Sequence, residues 1–153
     1  MWSNKIVYRG REYEERFAKG LDRLPEARIV REAVFIREQG FVNEFDDIDA
    51  TAWHCVILSD GRPAATGRLY RDKDPFVGHI GRVAVMKEER GKGLGWLLMA
   101  VLEQLAREND LDSIVVSAQC RAQGFYASLG YTAKGDIYPD EGCPHVMMYK
   151  ELV

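Results

Sequence analysis

The chain has 153 residues, of which 46% are hydrophobic and 29% charged; that is the length of one domain and the composition of a globular rather than a disordered protein. Its 21 basic and 24 acidic residues give a net charge of −3, which lacks the clustered positive excess on which nucleic-acid binding relies. No apolar run approaches the ~18–20 residues of a transmembrane helix, and the start carries no apolar signal-peptide core. Cys55, Cys120 and Cys143 are odd in number and widely spaced, with no Cys-x-x-Cys pair, so neither a disulfide framework nor a zinc site is expected. The expectation is a single domain over residues 1–153, cytoplasmic, with no metal and no nucleic-acid or membrane partner; a homodimer is the default assembly.

Along the chain, residues 4–9 read as a short first strand. Tyr13, Phe17, Leu21 and Leu24 recur at helical spacing and predict a helix interrupted by Gly20. Pro25 suits the first turn of a second helix, with Ile29, Ala33 and Ile36 as its stripe, Val30 and Val34 beside it, and a stop near Gly40. Residues 43–51 form an acidic loop. Residues 53–58 and 63–70 read as a hairpin around Asp60-Gly61. After a turn at 72–75, residues 77–86 make a long, mostly apolar strand holding Gly78 and Gly81.

The period then changes. Leu94, Leu97, Leu98, Val101, Leu102 and Leu105 trace one face of an amphipathic helix, which residues 110–112 break. Residues 113–117 form a short apolar strand of the kind buried on both faces when central. Ala122, Phe125, Tyr126 and Leu129 form a last helical face ended by Gly130, and 131–134 and 146–150 are the final strands. The order β, α, α, β, β, β, α, β, α, β, β predicts an α/β (α+β) fold: a mixed, mostly antiparallel twisted sheet with flanking helices, in which the strand–helix–strand crossover is right-handed and parallel.

The most informative stretch runs from Val83 to Gly95, where a strand enters a loop and the loop opens the best helix in the chain. Glycines at 91, 93 and 95 remove side chains where backbone N–H groups can approach an anion, and the unpaired N–H groups and dipole of a helix start favour phosphate. Arg90 and Lys92 add positive charge there. The Walker P-loop spacing is absent. The dinucleotide fingerprint fails because position 96 is Trp and the next strand ends in Ser117-Ala118-Gln119 without an acidic residue.

What remains, Arg90-x-x-Gly93-x-Gly95, resembles the acyl-CoA diphosphate motif of the GNAT superfamily of N-acetyltransferases, with Ile80-Gly81-Arg82-Val83-Ala84-Val85 before it and Leu97-Leu98 after it. Residues 119–131 are similar to that family's Asn-x-x-Ala-x-x-Phe-Tyr-x-x-x-Gly-Phe segment, and the resemblance spans about residues 12–150. The stretches 31–40 and 142–145 resemble the small bacterial ElaA-like or YjcF-like branch. Gln119 stands where the family has Asn, and Arg121 stands where this branch has histidine, either toward the cofactor phosphates or facing solvent.

The resemblance implies a splayed pair of parallel strands at 79–86 and 113–118, with acetyl-CoA as cosubstrate in the gap. Pantetheine is expected on the backbone of Val83, Ala84 and Val85, the diphosphate on Arg90, Gly91, Lys92, Gly93, Leu94 and Gly95, and further contacts from Gln119 and Tyr126. Gly81 marks a bulge that bends the long strand. The reaction implied is direct acyl transfer to a primary amine of a small molecule or peptide. Such an amine has a pKa of ~10.4 in water and must lose a proton to attack; the oxyanion needs a donor, a backbone N–H near Val85; and the departing thiolate gains from a proton donor, the role of Tyr126.

The base is sought among His54, His79 and His145, because histidine alone titrates unperturbed near neutrality. Glu44, Asp46, Asp47 and Asp49 are alternative bases acting through water, and otherwise either solvated charge or a rim that attracts a cationic amine; Glu44, Asp46 and Asp47 are the expected acceptor-binding residues. Cys120 reads as a small buried thiol, and Trp53 and Trp96 as packing. A catalytically silent acyl-CoA sensor remains the alternative to an enzyme. The acceptor contacts fall in loops 41–52 and 135–145, which carry no readable code for a polyamine, amino sugar, amino acid or protein amine.

Overall fold

The computed structural model describes residues 2–153 and begins with a hairpin, β1 (Trp2–Tyr8) against β2 (Arg11–Lys19), with Ile6 opposite Tyr13. The turn residues Arg9 and Gly10 have φ of 51° and 77°, the left-handed pair of a two-residue hairpin turn. This corrects the helix predicted from Tyr13, Phe17, Leu21 and Leu24. Positions four apart share a face in a strand as well as in a helix, and here Tyr13, Glu15 and Phe17 are buried together at period two. Only a single turn of 3-10 helix, Leu21–Arg23, remains of the predicted helix.

Helix α1 (Pro25–Arg31) starts at its proline as predicted and widens into a π-helical turn over Glu32–Glu38. Its buried face is Ala27, Val30, Arg31, Val34 and Phe35, not the Ile29–Ala33–Ile36 stripe; Ile29 is 49% exposed. The sequence offers two adjacent apolar stripes. The sheet takes the one carrying Arg31, whose guanidinium finds buried carboxylates, while the wider turn brings Phe35 onto the same side.

Strands β3 (Trp53–Ser59) and β4 (Arg62–Arg71) form the expected hairpin around Asp60 and Gly61. Next come β5 (Val77–Val85), α2 (Leu94–Glu108), β6 (Ser113–Gln119), α3 (Gln123–Ser128), β7 (Thr132–Asp140) and β8 (Cys143–Glu151). The sheet order is β1-β2-β3-β4-β5-β6-β8-β7, and β5–β6 is its one parallel pair among the described residues. Alternate residues of β3 feed two layers: Cys55 and Ile57 join the core under α2 with Leu94, Leu98 and Leu102, while Val56 and Leu58 pack with Leu24 and Ala27 beside α1.

Two irregularities create the site. Thr66 pairs with Ala84 and Arg68 with Gly81, so Arg82 and Val83 of β5 oppose the single residue Gly67. This is a β-bulge, with Arg82 at a left-handed φ of 53°, next to the glycine expected to mark it. A bulge bends its strand, and β5 pairs with β6 only from Val77 to Ile80, opposite Ser113 to Val116.

Candidate active site

Beyond Ile80 the two parallel strands separate, and the backbone of β5 is open on that side. The amide of Met86 bonds the carbonyl of Ala64 at 2.8 Å, so the alternation of the strand turns the amides of Val85 and Val83 away from β4, into the gap. The gap is a cavity of about 800 Å³, walled by Gly81 to Val85 on β5, Ser117 and Gln119 on β6, Tyr126 on α3 and His145 on β8. That volume lies in the range of small-molecule sites, ~300–1,000 Å³.

The glycine-rich loop closes one end. Gly91 and Gly93 have φ of 82° and 79°, and Gly93 precedes the first residue of α2 with no side-chain cap. The first amides of the helix therefore lack intrahelical partners. A Cβ at position 91 would meet nothing within 4 Å; one at 93 would lie 2.6 Å from the Arg9 guanidinium and 2.9 Å from the Tyr8 hydroxyl. Gly93 is thus required both by its backbone conformation and by the close approach of the first hairpin.

The charges at this loop differ from the sequence expectation. Arg90 donates from Nη1 and Nη2 to Glu38, both at 2.7 Å, and from Nε to the Val85 carbonyl at 3.1 Å. These bonds raise its pKa and hold the Glu38 carboxyl below its ordinary value. Lys92 pairs with Glu89 at 2.8 Å and does not line the cavity. Both cations of the motif are neutralised by carboxylates, Arg90 by one 52 positions away and Lys92 by one three positions away. Gln119 donates from Nε2 to Gln39 Oε1 at 2.9 Å and accepts from Arg121 Nε at 2.8 Å, which links β6 to the end of the π turn across the cavity mouth.

Tyr126 is buried, lines the cavity, and packs edge-on against Phe125 and Tyr131 at centroid distances of 5.0 and 5.8 Å. Burial pushes its phenol up to about 12. Tyr131 is anchored in turn: its hydroxyl donates to Glu103 at 2.8 Å, its amide bonds the Tyr126 carbonyl at 3.1 Å, and Lys150 pairs with the same Glu103 at 2.8 Å.

The three histidines separate cleanly. His145 lines the cavity, and its Nδ1 lies 2.8 Å from the carbonyl of Cys143. A carbonyl only accepts, so Nδ1 carries the hydrogen, and in the neutral ring Nε2 keeps a lone pair. The ring stacks on Tyr138, whose hydroxyl bonds Ser117. His79 also lines the cavity, stacked on Tyr70 at 4.8 Å, and burial lowers it to about 4. His54 is buried behind the cavity wall, not on it, with Nε2 3.0 Å from the Asp49 carbonyl; burial depresses its pKa.

The acidic loop folds inward. Arg31 bonds Glu44 at 2.8 Å and Asp49 at 2.7 Å; Arg68 bonds Asp46 at 2.7 Å and Asp49 at 2.8 Å; Arg82 reaches Glu44 at 3.2 Å. Three arginines and three carboxylates close a network of zero formal charge. Glu44 faces the cavity with its charge matched, whereas Asp46 and Asp47 do not line the cavity and Asp47 is exposed. Sequence reasoning missed Arg68 and Arg82, which line the cavity, because nothing in a strand's own pattern reveals a carboxylate partner 19 or more residues away. It also missed Glu141, whose Oε1 accepts the amides of Val42 and Asn43 at 3.3 and 3.1 Å and ties the β7–β8 turn to the acidic loop.

This network makes acid stability predictable. Burial opposes ionisation of Asp49, yet its bonds to Arg31 and Arg68 hold the carboxyl at about 2, against an ordinary 3.8. A depressed folded pKa contributes stability above the unfolded value that is lost as pH falls through the folded one. The loss for Asp49 is expected to be about 2 kcal/mol between pH ~5 and ~2. Glu44, raised mainly by burial, acts in the opposite direction, so the comparison with Asp49→Asn isolates the effect. In urea unfolding at the two pH values, Asp49→Asn should be weaker than wild type at the higher pH and lose less on acidification. Parallel losses in the two proteins would contradict the assignment.

Residues 26–152 match the family model of the acetyltransferase (GNAT) domain. An uncharacterised N-acetyltransferase of Bacillus subtilis, YjcF, is 33% identical over 137 residues, covering 88% of this chain and 96% of its own. The crystal structure of Escherichia coli ElaA superposes with a TM-score of 0.81 at 26% identity, covering 91% of this chain and 99% of that one. An acyl-CoA N-acyltransferase from Pseudomonas aeruginosa gives a TM-score of 0.79 at 28% identity, covering 89% and 97%.

Proposed function

We propose that this chain, which belongs to the GNAT acetyltransferase family, moves an acetyl group from the thioester of coenzyme A directly to a primary amine. The observation that carries this reading is the parting of β5 and β6 after Ile80 between a glycine-flanked helix head and two cavity-lining proton carriers, Tyr126 and His145. The donor fits the residues present. Gly91 leaves an open backbone surface where a Cβ would meet nothing, which suits a diphosphate on unpaired amides. The inward amides of Val83 and Val85 suit the amide groups of pantetheine, as an added strand suits a sheet edge. The Val85 carbonyl is already bonded to Arg90, so Val85 offers only its N–H.

Acetyl-CoA supplies the activated acyl group as cosubstrate; the protein's own groups handle charge and protons. His145 lines the cavity, and with Nδ1 committed to the Cys143 carbonyl its Nε2 lone pair accepts the proton that the attacking amine must shed. Tyr126 serves as a hydrogen-bond donor to the sulfur. A phenol near 12 does not readily give its proton to a thiolate whose thiol has a pKa of roughly 8.5, so Tyr126 stabilises the departing thiolate without being deprotonated. A hydrogen bond to a charged group contributes about 1.5–3 kcal/mol. Tyr126→Phe is therefore expected to lower kcat about ten- to a hundredfold with little change in CoA affinity. Equal turnover in the two proteins removes Tyr126 from the mechanism.

The acceptor end is a paired-charge wall of Glu44, Arg68 and Arg82, with His79 and Tyr70 beside it, strapped by Glu141. It suits a small or extended amine able to thread beneath that strap. The reading is tested by thiol release from acetyl-CoA with polyamines, amino sugars, amino acids and peptides. Saturable release with at least one amine class is expected. CoA binding with no release from any class would make the chain a sensor instead.

A further inference from the structure

Arg9 sits at the tip of the β1–β2 hairpin, more than 80 positions before the glycine-rich loop, and outside the residues 26–152 that match the family domain. In space it is at that loop. A Cβ added to Gly93 would lie 2.6 Å from both Cζ and Nη1 of Arg9 and 2.9 Å from the hydroxyl of Tyr8. The guanidinium also stacks over the Tyr8 ring at 5.2 Å, which limits its freedom.

Charge pairing distinguishes Arg9 from the two cations of the loop itself. Arg90 is committed to Glu38 and Lys92 to Glu89, whereas Arg9 has no carboxylate partner among the described residues. Arg9 also holds a φ of 51°, in a turn position that Asn, Asp or Gly fills at less conformational cost. An arginine there serves the hairpin poorly as a turn residue. It does place a planar fork of N–H donors, the geometry that matches phosphate oxygens, against the glycine that heads α2.

Resting on the reading of this loop as the CoA diphosphate site, we infer that Arg9 is a phosphate ligand for coenzyme A, supplied by the first hairpin in place of the self-neutralised Arg90 and Lys92. The inference assigns a donor-specificity role to a segment outside the family domain. It also accounts for the exclusion of any side chain at position 93: a Cβ would displace the guanidinium from the loop.

Isothermal titration of the full chain with CoA, dephospho-CoA and pantetheine tests this without reference to activity. For Arg9→Ala, CoA affinity should fall about ten- to a hundredfold, the worth of one charge-assisted hydrogen-bonded pair, while pantetheine affinity stays unchanged. Arg9→Lys should recover part of the loss. Arg90→Ala and Lys92→Ala should each cost less than Arg9→Ala. A loss retained with dephospho-CoA places Arg9 on the diphosphate, and one abolished with it places Arg9 on the 3′-phosphate; both support a phosphate ligand. Unchanged CoA affinity in Arg9→Ala, or an equal loss for CoA and pantetheine, overturns the inference and leaves the loop site standing. Wild-type protein that binds pantetheine and CoA equally overturns the loop site itself.

Discussion

Gly93→Asp is expected to abolish measurable CoA binding, a loss of at least a hundredfold, while the protein still folds. The fold survives for two reasons. Aspartate tolerates the left-handed conformation better than most side chains, and the atoms a Cβ would strike, Arg9 Cζ and Nη1 and Tyr8 Oη, are the ends of side chains on a hairpin tip that can swing away. Binding does not survive. The new carboxylate would stand at the amides meant for a diphosphate, and like charges brought together cost several kcal/mol. It would also recruit Arg9, a cation without a carboxylate partner. Gly93→Asn carries nearly the same bulk without the charge and should lose less, keeping the cost of displacing Arg9 but not that of the like charge. Titration of the three proteins with CoA, with a thermal melt as the folding control, decides the matter. Wild-type affinity in Gly93→Asp would refute the placement of the phosphates at this loop.

His145→Gln is expected to lower kcat by about 10²–10⁴, the usual contribution of a positioned general base, and to leave CoA affinity unchanged. The assignment follows from one hydrogen bond. The Cys143 carbonyl holds the Nδ1 hydrogen at 2.8 Å, so the other nitrogen is the acceptor. His54 uses its Nε2 hydrogen on Asp49, off the cavity, and His79, half-buried and stacked on Tyr70, is lowered to about 4 by desolvation. The pH profile carries a signature that damage to the fold would not imitate. An amine with a pKa of ~10.4 deprotonates itself in alkaline solution, so the deficit of His145→Gln should shrink as pH rises toward 10. His54→Gln should show no such pH-dependent deficit. A constant ratio of wild-type to His145→Gln rates across that range would contradict the role of His145.

The parts of the fold that could be read from sequence are those whose cause is local. The leucine period of α2, the proline that opens α1, the Asp60-Gly61 turn and the glycines of residues 91–95 each act within a few positions, and the structure has them where the sequence puts them. The first hairpin was illegible because a four-residue spacing satisfies both periodicities; Arg9-Gly10 decides the outcome, and arginine is not a usual first residue of such a turn. The charges were misread for a different reason. The fates of Arg90, Glu44 and Asp49 depend on partners that only the folded chain supplies: Glu38 lies 52 positions from Arg90, and Arg68 lies 19 from Asp49. A charge in sequence is a possibility whose sign at the site is set by burial and pairing. The same holds for the histidines, since which nitrogen carries the proton follows from the carbonyl it meets.

The central claim is that the gap between β5 and β6 takes the pantetheine arm and the head of α2 takes the diphosphate. A crystal structure of the protein with CoA tests it most directly. Pantetheine density is expected beside the backbone of Val83 and Val85, phosphates within hydrogen-bond distance of the amides of residues 91–95, and sulfur near the Tyr126 hydroxyl. CoA bound elsewhere on the molecule, with no CoA density in this gap, would contradict it.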